Sequence, residues 1–151
     1  MTHTLTLRLP EADAIAVRRI AEREKRSVNE VGARMIEEWL RQDNYPLIEF
    51  RSFSGERLPC LKNGIRLWKL IMTAQGYGMD VKKTAVHYND IYSAAQIQAA
   101  LDYYNAYPQE IDRPIQENQA VTFETLRRKL PHIEQFNVNA NDLDAASGQA
   151  T

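Results

Sequence analysis

The sequence predicts a mainly α protein with a short β-strand at its N-terminus and one small β-hairpin further on. Three observations carry that expectation. Thr4-Leu5-Thr6-Leu7-Arg8-Leu9 alternates polar and apolar residues, the period of a strand with one buried face. From Pro10 to about Gln42 the apolar residues instead recur at spacings of three and four, interrupted by Ser27-Val28-Asn29-Glu30. Beyond Tyr45-Pro46, short apolar runs separated by Ser54-Gly55 give way to helical spacing from Leu67 onward.

A strand this short cannot cover its own leucine face, and an isolated ribbon is marginal in water. The expected partner is the same strand of a second chain. Leu5, Leu7 and Leu9 would then face a dimer core, and Thr4, Thr6 and Arg8 would form an outward polar row. That row has chemistry suited to base edges; the alternative is a solvated face of a module that only dimerises. Pro10 suits the first turn of a helix, and Glu11 and Asp13 suit its positive end. Ala14, Val17, Ile20 and Ala21 make the stripe of this first helix, which ends near Glu24. In Ser27-Val28-Asn29-Glu30 the serine hydroxyl can accept from the Glu30 amide while the Glu30 carboxylate returns to the Ser27 amide, a capping box that starts a second helix at Val28. Its expected apolar face is Val28, Val31, Met35, Ile36, Trp39 and Leu40, and Asp43-Asn44-Tyr45-Pro46 reads as a linker.

Residues 4 to 41 resemble the ribbon-helix-helix DNA-binding domains of prokaryotic repressors and antitoxins. The strand ending in Leu9-Pro10, the Arg26-Ser27-Val28-Asn29 turn and the apolar second helix carry the resemblance. It implies an obligate homodimer whose paired strands enter the major groove of operator DNA, with Thr4, Thr6 and Arg8 reading bases. The N-terminal amides of the second helix, at Ser27, Val28 and Asn29, would clamp a phosphate. The physical logic stands beside the family: a two-stranded ribbon fits the major groove, arginine can donate twice to guanine, and a helix N-terminus attracts anions. One departure is visible, because the family's turn often has glycine where this chain has Lys25, at a position that asks for positive φ.

Residues 44 to 118 read as a second compact domain. Leu47 to Arg51 and Arg57 to Leu61 flank Ser54-Gly55 as a small hairpin, and Lys62-Asn63-Gly64 marks a further turn. A helix comes next with Leu67, Leu70, Ile71 and Ala74 on one face, ending at Gly76-Tyr77-Gly78. Asp80 caps a helix from Val81 to about Tyr88. Ser93 caps another, with Ile97, Ala100, Leu101 and Tyr104 on its face, and Pro108 opens a last one to about Asn118. Two short helices joined by a tight turn have a helix-turn-helix outline.

This segment resembles a small domain, long catalogued as of unknown function, found in bacterial antitoxin-like proteins paired with nuclease-like toxins. The blocks are Phe50-Arg51, Leu61 to Leu67, Lys83-Thr84-Ala85, Ser93 to Ile97, and Ala99 to Tyr104 with Tyr107 to Asp112 after it. Gln96, Gln98 and Asn105 could meet adenine edges and Lys82 and Lys83 phosphate, but Asp90, Asp102 and Glu110 lie close by, and a protein-binding or dimer-bracing role is the favoured expectation. Tyr103 and Tyr107, four apart on one helix, are either ordinary packing or an exposed patch for a partner.

Residues 119 to 151 form a tail. Thr122 caps a short helix from Phe123 to Leu130 that carries Arg127-Arg128-Lys129, and Pro131 stops it. In a chain that resembles an antitoxin, this segment is the expected toxin-binding element. Arg127, Arg128 and Lys129 would lie over an acidic nuclease site while Phe123, Leu126 and Phe136 anchor alongside. The alternative is a helix packed on its own domain with a solvated charged face.

The chain has 19 Lys+Arg against 20 Asp+Glu, so any nucleic-acid reading must rest on local geometry rather than bulk charge. Its single cysteine, Cys60, precludes an internal disulfide and a multi-cysteine zinc site. With no signal-peptide pattern and no apolar run near the roughly 18 residues of a membrane span, a cytoplasmic location without membrane contact is expected. His3, His87 and His132 do not fall at ligand spacing, and no nucleophile, base and stabiliser coincide, so neither catalysis nor a metal or other cofactor is expected. The combined expectation is an autorepressing antitoxin of a type II toxin-antitoxin pair that neutralises a nuclease-like toxin by direct binding. The alternatives are a ribbon-dimerised interaction scaffold without DNA binding and a stand-alone transcription factor.

Overall fold

The computed structural model of the protein describes residues 1–121, 123–130 and 132, with Phe123 described by its backbone. It is mainly helical. Helices α1 (Glu11–Glu24) and α2 (Val28–Asn44) precede a hairpin of β1 (Ile48–Phe53) and β2 (Glu56–Leu61), after which come α3 (Leu67–Gly76), α4 (Val81–His87), α5 (Ala94–Ala106), α6 (Pro108–Gln119) and α7 (Phe123–Lys129). The chain divides into two compact units, Met1–Asp112 and Arg113–Thr151.

Local chemistry sets most of the element boundaries. At the start of α2 the Glu30 amide donates to the Ser27 hydroxyl at 3.2 Å and the Ser27 amide donates to the Glu30 carboxylate at 2.9 Å, so the capping box forms as its residues require. Ser93 and Gln96 repeat it at α5, and the Asp80 carboxylate accepts from the Lys83 amide at α4. Lys25 closes α1 with φ 54 and ψ 42, the left-handed conformation that the glycine common at this turn would adopt without strain. Its neighbour Arg26 donates its amide back to the Ala21 carbonyl at 3.0 Å.

Ser54 and Gly55, with φ of 51° and 86°, supply the two positive-φ residues of a tight hairpin turn. The antiparallel register then runs from Phe53 opposite Glu56 to Ile48 opposite Leu61. Gly64 is required small for a different reason: a Cβ there would stand 3.0 Å from both Leu61 Cβ and Tyr92 Cε1.

The core of the first unit lies between the hairpin and α3 to α5. Cys60, Leu61, Leu67, Leu70, Ile71, Ala74, Ile97, Ala100 and Tyr103 are all fully enclosed. The α3 face Leu67, Leu70, Ile71 and Ala74 is buried as its spacing predicts. On α5 the expectation fails by one residue, since Tyr103 is fully buried and Tyr104 only half-buried. Tyr104 instead hydrogen-bonds to Asp112 at 2.8 Å, which holds its hydroxyl at the surface and raises its pKa.

The helix pair α1 and α2 is thinly covered. Of the residues expected on its apolar faces, only Ala21 and Val31 are buried, whereas Val28, Trp39 and Leu40 are exposed. Residues 1–10 carry no strand pairing, and Leu5, Leu7 and Leu9 remain 70%, 56% and 51% exposed. A strand gains its backbone hydrogen bonds from a neighbour, and the described residues of this chain provide none beside the arm. A ribbon-helix-helix arrangement is therefore not displayed among the described residues of the single chain.

Ionic contacts tie α1 to α2, and α2 to the hairpin. Arg34 donates to both oxygens of Glu24 at 2.5 and 3.2 Å, and this bond holds the Glu24 carboxyl below its ordinary range. Arg57 of β2 donates to Glu38 of α2 through Nε at 3.0 and 3.2 Å and through a terminal nitrogen at 2.7 Å. Glu38 is a buried carboxylate, and Arg34 Nε stands 3.7 Å from the same group.

Candidate functional site

The arm and the helix pair enclose an apolar groove of about 780 Å³. Leu5, Leu7 and Leu9 line it from the arm, and Val17, Val28, Met35 and Ile36 from the helices. Gly32 and Ala33 keep its floor low on α2. The alternation along the arm is incompletely sorted, because Thr4 and Thr6 border the same groove as the leucines. Thr4, Thr6 and Arg8 are all solvent-exposed.

At the start of α2, Ser27, Val28 and Asn29 are exposed. The Ser27 amide is engaged by the Glu30 carboxylate, whose pKa is lowered by the backbone and side-chain hydrogen bonds from Ser27. The Val28 and Asn29 amides belong to the first turn, where an α-helix leaves N–H groups without backbone acceptors. Of the three amides expected to hold an anion, one therefore has an internal carboxylate as its partner.

Of the two readings of Tyr103 and Tyr107, packing holds for Tyr103, and Tyr107 is half-buried beside it. Tyr103 is fully buried, donates its hydroxyl to Glu110 at 2.8 Å, and packs its ring edge to face against Tyr45 and Phe50 at 5.3 and 6.5 Å. Burial and the Glu110 hydrogen bond push its phenol pKa well upward, so it stays a neutral donor. Tyr107 is half-buried, 4.9 Å from Tyr103, with the Arg41 guanidinium 4.6 Å over its ring. Arg41 also pairs with Glu110. Burial works against the Arg41 charge, and Glu110 with Tyr103 outweighs it, leaving the guanidinium pKa raised. A spacing of four correctly placed the two rings together, but the inward side of α5 was decided by α2, β1 and α6, so Tyr103 offers no surface to a partner.

In the second unit, Arg127, Arg128 and Lys129 lie on α7 and are exposed, and Leu126 is 36% exposed. Phe136, the Thr122 cap and the side chain of Phe123 lie outside the described residues. The Glu38 and Glu110 clusters were missed from sequence, since partners separated by 19 and 69 positions leave no local signature.

Among the described residues, no group of three or more His, Cys, Asp or Glu side chains is placed to hold a metal ion. The Cys60 thiol is buried, and that burial raises its pKa, which suits a core hydrophobe rather than a nucleophile. His87 Nδ1 lies 3.0 Å from the Tyr77 hydroxyl in a surface aromatic contact. No helix among the described residues is long and apolar enough to cross a membrane. No family model, curated protein or solved structure matches the chain.

Proposed function

We propose that the protein is a DNA-binding antitoxin that acts as a homodimer, represses its own operator and neutralises a nuclease-like toxin by direct binding. The observation that carries the proposal is the uncovered arm: three leucines at strand spacing, each at least half exposed, above an apolar groove on α1 and α2. Full burial of a leucine is worth about 1.5 to 3 kcal/mol, so covering three half-exposed leucines in each of two chains contributes roughly 6 kcal/mol toward association. A second copy would satisfy the arm as the described residues of one chain do not, by pairing its N–H and C=O groups as well as covering its leucines. The paired arms would present Thr4, Thr6 and Arg8 twice, at a spacing fixed by the dimer axis. Arg8 would donate to a guanine edge, and the first-turn amides at Val28 and Asn29 would meet a flanking phosphate. The exposed cations of α7, with Leu126, would serve the toxin-facing segment. The protein performs no chemistry in this reading; it works by binding.

Sedimentation of the full chain and of Leu7→Glu tests the dimer. The parent should sediment as a dimer and the variant as a folded monomer. A mobility-shift assay on the upstream promoter, at stated salt, tests base recognition by the arm: Arg8→Ala should cost about 1 to 3 kcal/mol and relax the preference at one base position. Unchanged affinity and preference would remove the arm from the groove. Deleting residues 122–151 should abolish toxin binding and spare operator binding; retained neutralisation would sink the assignment of α7.

A further inference from the structure

The side of α2 that floors the groove continues past it. Met35 and Ile36 line the groove, with Val28 and Gly32 before them. Trp39 stands about three helical turns after Val28 and Leu40 about one turn after Ile36, so both fall on that same side. Val28, Trp39 and Leu40 are 46%, 62% and 49% exposed, whereas Val31 and Glu38, on another side of the helix, are buried. We infer that α2 of one chain crosses α2 of a second copy, antiparallel and centred between Gly32 and Ile36. This contact presupposes the homodimer proposed above and adds area that the arm does not supply.

Area calls for more than the arm. Fully burying a leucine side chain removes roughly 60 to 120 Å² of apolar surface from water. Leu5, Leu7 and Leu9, each partly covered already, therefore offer at most roughly 200 Å² per chain. A stable dimer buries about 800 Å² per partner, of which about 500 Å² is apolar. At its exposure Trp39 adds up to roughly 150 Å², and Val28 with Leu40 about 100 Å² more. The arm and this side of α2 together come close to the apolar area of a stable dimer, and neither does so alone.

The order of residue sizes along this side selects a second copy as the occupant. Gly32 lies inside α2, where glycine is the least favourable residue after proline. Its φ is not positive, and a Cβ built there meets nothing within 4 Å among the described residues. Neither the backbone nor the packing of the single chain therefore calls for glycine. A residue without a side chain does admit the close approach of an element from outside. Small Gly32 and Ala33 are followed by large Met35 and Ile36, and all four line the groove. Reversing the helix about Arg34 sets Gly32 opposite Ile36 of the second copy, Ala33 opposite its Met35 and Val28 opposite its Leu40. A two-fold contact repeats each pairing, small against large, so the side is complementary to itself.

The test is sedimentation equilibrium of the full chain over a concentration series, with circular dichroism to confirm folding. Gly32→Leu fills open space and raises helix propensity, so the single chain keeps its fold. Its dimer dissociation constant should rise by about tenfold or more, the size of an overpacked contact. Gly32→Leu/Ile36→Ala sets small against large again across the crossing and should return the constant to within about threefold of the parent. A Gly32→Leu chain that dimerises as the parent does would overturn the inference, as would a double variant no better than the single one. Failure of the arm looks different. Leu7→Glu monomeric with Gly32→Leu dimeric removes the α2 crossing and keeps the arm, and the reverse pattern removes the arm and keeps the crossing. A parent that stays monomeric at every concentration overturns both, leaving a different protein as the occupant of this side.

Discussion

Replacing Glu38 with alanine should destabilise the protein far more than its place on a polar-looking helix suggests. The carboxylate accepts three hydrogen bonds from Arg57 at 2.7 to 3.2 Å and faces Arg34 Nε at 3.7 Å, with its side chain only 11% exposed. Its hydrogen bonds hold the Arg57 guanidinium pKa above the ordinary value, with burial opposing. Removing it leaves the half-buried Arg57 guanidinium without its carboxylate partner, while Arg34 keeps Glu24. Breaking a fully buried pair costs about 3 to 5 kcal/mol, and the 30% exposure of the Arg57 side chain reduces this to roughly 2 to 3 kcal/mol. Urea unfolding at fixed protein concentration measures it, because association would shift the midpoint by mass action. Glu37→Ala is the internal control. Its side chain is 64% exposed and 3.9 Å from Arg41, and its loss should cost under about 0.5 kcal/mol. A Glu38→Ala and Arg57→Ala double-mutant cycle should return a coupling of about 1 to 3 kcal/mol. If Glu38→Ala costs no more than Glu37→Ala, the ionic tie between α2 and the hairpin is not a stabilising contact and the reasoning fails.

Three other substitutions have expected outcomes of their own. Lys25→Gly should stabilise the protein by up to about 1 kcal/mol in thermal or urea unfolding, since it relieves a left-handed residue at the end of α1. Gly64→Ala should destabilise by about 1 to 3 kcal/mol, because the new methyl meets Leu61 and Tyr92 at 3.0 Å. The last concerns acid. The Glu24 pKa is lowered in the folded chain from the ordinary 4.5, first through its Arg34 hydrogen bond. Its contribution is therefore fully present above 4.5 and is lost as pH falls through the depressed folded value. The drop in urea midpoint over that acid window should be smaller in Glu24→Gln than in the parent; an identical drop would refute the linkage.

Among the features legible in the sequence, the clearest are those settled within a few residues. Ser27 with Glu30, Asp80 with Lys83 and Ser93 with Gln96 form caps because donor and acceptor are three positions apart in any helix that starts there. Ser54-Gly55 fixes the hairpin and thereby its register. Lys25 had to take positive φ because the turn between α1 and α2 demands it of whatever residue stands there.

The tertiary structure alone decided which side of each amphipathic element finds a neighbour. Adjacent helical positions point about 100° apart, so spacing could not choose between Tyr103 and Tyr104 on α5. The packing of Tyr45 and Phe50 chose Tyr103. The same holds on α2, where one apolar face was expected and its residues are divided between the interior and solvent. Val31 turns inward with Glu38, which Arg57 holds in place, while Val28, Trp39 and Leu40 stay in solvent. Burying a carboxylate depends on a cation 19 residues away, and no local pattern encodes that. The leucine arm lies between these cases: its period is written in six residues, but its hydrogen bonds require a strand that the described residues do not place beside it.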